Sequence, residues 1–167
     1  GHTFYAQCHI APDNNLWVMT AVSLYCYDLS TLQLKETVAL SGYPYYSYLH
    51  NNELWITGNR TLNIFDTRTR SFKPLPTPIA QNTTLCNADI DYIHPYGNNG
   101  LLLNTARHGM FYYNPGTGSV TRQDENGFPF EMPRFRISRM FTDSQQNLWI
   151  GSVDQGYTVC YHYKERF

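Results

Sequence analysis

The sequence predicts an all-β protein: a β-propeller segment of about four four-stranded antiparallel blades, cut from a larger propeller. Two observations carry this. A short apolar triplet returns at blade-sized intervals, and a hairpin signature returns downstream of it. Composition agrees, with aromatics at 16% and charged residues at only 15% of the 167 positions, well below the usual quarter and suited to strands more than helices.

The triplets are Leu16-Trp17-Val18, Leu54-Trp55-Ile56, Leu101-Leu102-Leu103 and Leu148-Trp149-Ile150, with centres 38, 47 and 47 residues apart. Each follows a polar turn: Asp13-Asn14-Asn15, Asn51-Asn52-Glu53, Gly97-Asn98-Asn99-Gly100 and Asp143 to Asn147. Asn, Asp and Gly tolerate the positive φ that tight hairpins need. Downstream stand Tyr27-Asp28 with Thr31 and Leu34, Phe65-Asp66 with Thr69 and Phe72, and Tyr113-Asn114 with Thr117 and Val120. An Asx side chain bonding the turn's own backbone makes each a hairpin, and the last apolar residue lies on the returning strand.

Each unit therefore reads as four strands in sequence, and the whole chain 1–167 as one propeller segment with blades at about 3–41, 42–80, 86–124 and 135–167. First strands fall at Phe4 to Ile10, Tyr45 to Leu49, Ile90 to Ile93 and Ile137 to Phe141; aromatic third strands fall near Leu24 to Tyr27, Leu62 to Phe65, Met110 to Tyr113 and Tyr157 to Tyr161. No amphipathic helix is evident, so the Pro-containing stretches Lys73 to Asn82 and Arg122 to Arg136 read as long inter-blade loops, either of which could bind or dimerise. A blade cannot bury both faces alone, which makes Trp17, Trp55, Leu102 and Trp149 packing residues of an inter-blade core.

The formal net charge of −1 leaves no basic stripe for a phosphate backbone, so no nucleic-acid partner is expected. No apolar run is long enough for a membrane helix, and Gly1-His2-Thr3-Phe4 does not look like an export leader. The segment should be soluble, with any signal or anchor outside it. Cys8, Cys26, Cys86 and Cys160 form no C-x-x-C pair and read as isolated buried thiols, although three disulfide pairings stay open in an oxidising compartment. No metal or other cofactor is expected.

Ile137-Ser-Arg-Met-Phe-Thr-Asp143-Ser-Gln-Gln-Asn147-Leu-Trp149-Ile-Gly151-Ser152 resembles the two-component regulator propeller repeat. Asp13-Asn-Asn-Leu-Trp17-Val with Leu24-Tyr-Cys-Tyr27-Asp28 looks like another copy, and Leu54-Trp55-Ile56-Thr57-Gly58 like a third. The third unit departs at Leu102 but keeps the hairpin Tyr113-Asn114-Pro115-Gly116-Thr117. The resemblance implies the periplasmic sensor part of a hybrid two-component histidine kinase and response regulator, anchored in the inner membrane through its parent protein. It also implies seven blades per propeller and, for many members, control of polysaccharide utilisation genes by oligosaccharides. No kinase motif accompanies His2, His9, His50, His94, His108 or His162. An incomplete ring would leave blade faces open, so a homodimer through those faces or the long loops is expected.

Ligand candidates are Tyr43, Tyr45, Tyr46 and Tyr48, whose rings and hydroxyls suit sugars, and Arg107 with His108, whose donors suit an anionic sugar. The alternatives are an ordinary strand and a solvated loop. Asp89 and Asp91 invite a glycoside hydrolase or lyase reading, yet neighbours on one strand do not oppose each other across a cleft, and no catalytic residue is assigned. A protein-interaction scaffold of the WD or kelch kind is disfavoured because the Trp sits in the second strand, not in a closing Trp-Asp pair.

Overall fold

In a computed structural model the described residues are 6–97, 99–132 and 137–160. They form antiparallel sheets stacked face to face, a segment of a β-propeller. Blade 1 comprises β1 (Gln7–Ile10), β2 (Asn15–Met19), β3 (Ser23–Asp28) and β4 (Leu34–Ala39). Blade 2 comprises β5 (Tyr46–His50), β6 (Glu53–Gly58), β7 (Thr61–Asp66) and β8 (Ser71–Lys73). The connection to blade 3 holds α1 (Thr77–Ala80) and α2 (Thr83–Cys86). Blade 3 is β9 (Ile90–Tyr96), β10 (Gly100–Thr105), β11 (Gly109–Asn114) and β12 (Ser119–Arg122), and blade 4 shows β13 (Ile137–Thr142), β14 (Leu148–Ser152) and β15 (Tyr157–Cys160). Every blade pairs in chain order. Phe4, Tyr161 and any fourth strand after Cys160 lie outside the described residues.

The turns form as their side chains dictate. Asp28 Oδ1 accepts from the amides of Ser30 (2.9 Å) and Thr31 (3.1 Å), Asp66 Oδ1 from Arg68 and Thr69 (both 2.9 Å), and Asn114 Oδ1 from Gly116 (2.9 Å) and Thr117 (3.4 Å). The Asx-to-Thr spacing is this pair of bonds. In the turns before the second strands, Asn14, Asn51, Asn99 and Gln146 all take positive φ, from 57° to 68°. Lys35 lies 2.9 Å from Asp28; that contact and the two turn amides hold the carboxyl down at about 2.

Three apolar layers fill the spaces between blades. Trp17, Met19 and Leu24 of blade 1 meet Leu54, Ile56 and Phe65 of blade 2. Trp55 and Ile64 face the other way, onto Leu101, Leu103 and Phe111 of blade 3. Leu102 and Met110 then meet Met140, Leu148 and Ile150 of blade 4. In β6 and β10 the central residue thus faces the next blade and its two neighbours face the previous one, as the period of two requires.

Three expectations need correcting. Trp149 is only half-buried, because its side of blade 4 meets no described blade; its indole packs on Tyr157 (5.3 Å between rings) and donates to Asp143 Oδ2 at 2.9 Å. Of the thiols, all four are free and only Cys26 is buried, while Cys8 is exposed on the outer side of β1. The stretch Lys73 to Asn82 is not all loop. It contains α1, and Asn82 caps α2 by accepting from the Leu85 amide at 2.9 Å. Ile79 and Leu85 are driven into the layer between blades 2 and 3. The other long connection brings Phe128, Phe130 and Met132 over the layer between blades 3 and 4, and its residues 133–136 lie outside the described ones.

First strands add polar ties between blades. Gln7 Oε1 accepts from Ser47 Oγ (2.9 Å) and His9 Nε2 meets the same hydroxyl (2.8 Å). The Tyr46 hydroxyl donates to the Ile93 carbonyl (3.1 Å), the Tyr92 hydroxyl to that of Met140 (3.2 Å), and His94 Nε2 meets Thr142 Oγ1 (2.8 Å). Arg139 lies 5.6 Å over the Tyr92 ring.

Two consequences can be measured by urea unfolding. Trp55→Ala should cost about 3–5 kcal/mol, as for other buried aromatics, and Trp149→Ala clearly less; equal losses would contradict the layer assignment. Burial brings the His94 imidazole down to about 4, whereas an unfolded imidazole titrates near 6.5. Protonation therefore favours unfolding: stability is full above pH 6.5 and falls as pH drops towards 4. Between pH 6.5 and 5 the loss from His94 should be about 2 kcal/mol, and His94→Gln should flatten that part of the profile.

Candidate functional site

The second and third strands of successive blades are joined by turns that emerge at one edge of the stack. Two of these turns, with the residues entering blade 3, enclose a cleft of about 200 Å³ lined by Arg60, Asn87, Ala88, Asp89, Ala106, Arg107 and His108. Arg60 stands in the two-residue link between β6 and β7, at φ 52°. Backbone approach forces that link to be tight. A Cβ added to Gly58 would come within 2.4 Å of the Gly42 carbonyl, which also accepts from the Asn59 amide at 2.9 Å.

On the blade 3 side the turn is fixed by Thr105, whose hydroxyl donates to the Gly109 carbonyl (2.7 Å) and accepts from the His108 amide (2.9 Å). Gly109 completes it at φ 76°. The third wall follows from α2: its end delivers Asn87, whose Nδ2 donates to the Thr83 carbonyl at 2.7 Å. Asp89 then spans the cleft, its Oδ1 accepting from the Arg60 amide (3.0 Å) and its carbonyl from the Ala106 amide (2.9 Å).

Charge in the cleft is mainly unspent. Lys35, Lys73 and Arg122 each sit on a carboxylate. The guanidinium groups of Arg60 and Arg107 make no hydrogen bond or ion pair to the described residues, and both are exposed along with His108.

The structure thus brings Arg107 and His108 into one cleft and adds Arg60 and Asn87, which the sequence did not single out. The tyrosine cluster is divided. Tyr43 is 78% exposed, at φ 49°. Tyr45 is half-buried; burial, with the nearby charges of Asp89 and Asp91, pushes its phenol up to about 12. Tyr46 packs on Tyr92 (5.0 Å between rings) and Tyr48 stacks on His50 (6.3 Å), both against the layer between blades 2 and 3. Asp89 is engaged as a tie between blades, and Asp91 is exposed on β9. Trp17, Trp55 and Leu102 are buried and contribute nothing to the cleft.

No family model and no curated protein matches the sequence. Solved structures do match. The extracellular domain of the B. thetaiotaomicron hybrid two-component system BT3049 superposes with a TM-score of 0.62 at 19% identity, over 92% of this chain and 19% of that one. The corresponding domain of BT4673 from the same organism gives 0.61 at 16% identity, over 92% of this chain and 23% of that one. The β-propeller domain of Myceliophteria thermophila Cps50 (Swd1) gives 0.64 at 16% identity, over 93% and 54%. The chain therefore has the fold of the propeller regions in these extracellular domains, and spans about a fifth of their length. At such identities the likeness is one of fold, and function has to be argued from the site.

Proposed function

We propose that this chain is an extracytoplasmic ligand-recognition segment of a hybrid two-component signalling protein, non-catalytic in itself. The observation that carries the reading is the match of nearly the whole blade stack to extracellular domains of that class. The repeat motifs around Asp143 to Ser152 support it independently of the superposition. The proposed ligand is an oligosaccharide, and the proposed output is control of polysaccharide utilisation genes by a kinase in the parent protein, with this segment in the periplasm.

The blade faces at the two ends of the stack bear on how the segment sits in that parent. Leu16 and Val18 on one end, and Trp149 with the 69% exposed Tyr157 on the other, are apolar side chains of the kind that fill the inner layers. Further blades of the same chain are the proposed cover, completing a ring of about seven blades. Pairing with a second copy through these faces is the other cover this proposal allows. A hydrolase reading draws little from the cleft, where Asp89 is the one carboxylate in the lining and no second carboxylate opposes it.

Calorimetric titration of the intact sensor with neutral and acidic oligosaccharides, followed by product analysis, tests the reading. Saturable binding without any cleavage is expected. Absence of binding to every oligosaccharide, or release of shortened products, would overturn it.

A further inference from the structure

The geometry points to a specific ligand chemistry: the cleft between blades 2 and 3 is an anion subsite, in which Arg60 and Arg107 grip the carboxylate or sulfate of an acidic sugar residue. The inference rests on the proposed ligand-recognition role, which it deepens by naming the group that is bound and the residues that bind it.

Arg60 and Arg107 come from different blades, and each sits on a turn locked from below. Gly58 and Gly42 fix the first turn, and Thr105 with Gly109 fixes the second. Two guanidinium groups brought to one small cleft repel each other, whereas Lys35, Arg70, Lys73 and Arg122 each sit on a carboxylate. Here the one carboxylate in the lining, Asp89, commits Oδ1 to a backbone amide. Its single negative charge against two positive ones leaves the cleft positive. Planar guanidinium forks match two oxygens of a carboxylate or sulfate, and bonds of that type are short and charge-assisted.

Size and wall chemistry restrict the ligand further. About 200 Å³ is below the range of whole drug-sized sites and suits one charged group with part of its ring. His108 adds a ring nitrogen able to bond a hydroxyl or the anion itself, and Asn87, whose Nδ2 is spent on the Thr83 carbonyl, keeps an amide oxygen able to accept from a hydroxyl. A long phosphate polymer is poorly served, because the site is one pocket and the chain as a whole carries a formal charge of −1.

The test is an NMR titration of this chain, following the His108 imidazole and the Ala106 and Gly109 amides. The probes are sodium glucuronate, sodium sulfate and uncharged glucose at constant ionic strength. Saturable shifts with glucuronate or sulfate and none with glucose are expected; response to glucuronate alone assigns a uronate, and response to sulfate alone a sulfated sugar. Arg60→Asn, which keeps a residue at ease with positive φ, and Arg107→Gln should each weaken binding tenfold or more. Arg107→Lys, retaining charge without the fork, should fall between. Equal shifts with glucose, no saturable response to either anion, or binding unchanged in both neutral variants would overturn the subsite. Such a failure leaves the ligand-recognition reading standing if the intact sensor still binds neutral oligosaccharides, so the two can fail separately.

Discussion

The constraint on which the molecule depends is that a four-stranded sheet with apolar side chains on both faces has to be covered on both. In β6, Leu54 and Ile56 are buried against blade 1 and Trp55 against blade 3. In β10, Leu101 and Leu103 face blade 2 while Leu102 faces blade 4. No blade has a core of its own. Stability comes from the contacts between neighbours, which is the behaviour of a repeat protein.

This stacking also builds the cleft. Because the layers fix the spacing of blades 2 and 3, the turn after β6 and the turn after β10 are held a cavity's width apart. The tie from Asp89 to the Arg60 amide fixes their relation. The helices α1 and α2 contribute to both ends of this arrangement: Ile79 and Leu85 fill the layer below, and the chain leaving α2 forms a wall of the cleft. Packing energy in the interior therefore sets the geometry of a polar site that has little packing of its own.

What could be read from the sequence was local. Asp28, Asp66 and Asn114 announce their hairpins because the bonds they make reach only two or three residues along the chain. The triplets announce the second strands because their alternation is periodic. The helices α1 and α2 were illegible for the opposite reason. One-turn helices carry too few residues for a period, and Pro78 and Asn82 read equally as loop signals; what makes them helical is burial of Ile79 and Leu85 by blades distant in sequence. Trp149 carries the same motif as Trp17 and Trp55, and nothing in a motif records whether a neighbouring blade covers it. Half of the cleft was likewise visible: Arg107 and His108 lie in a loop with an evident position, whereas Arg60 is a lone arginine in a two-residue link. Its partner across the cleft is 47 residues away, and only the stacking brings them together.

Hydrogen exchange resolved by residue tests the nearest-neighbour account most directly, because it reads local stability without altering the chain. Slowest exchange is expected in β6 and β10, whose blades are covered on both faces, and faster exchange in β2 and β14, whose blades are covered on one face among the described residues. Slowest exchange in β2 or β14, or uniform protection across all four second strands, would contradict the claim that each blade is held by its neighbours.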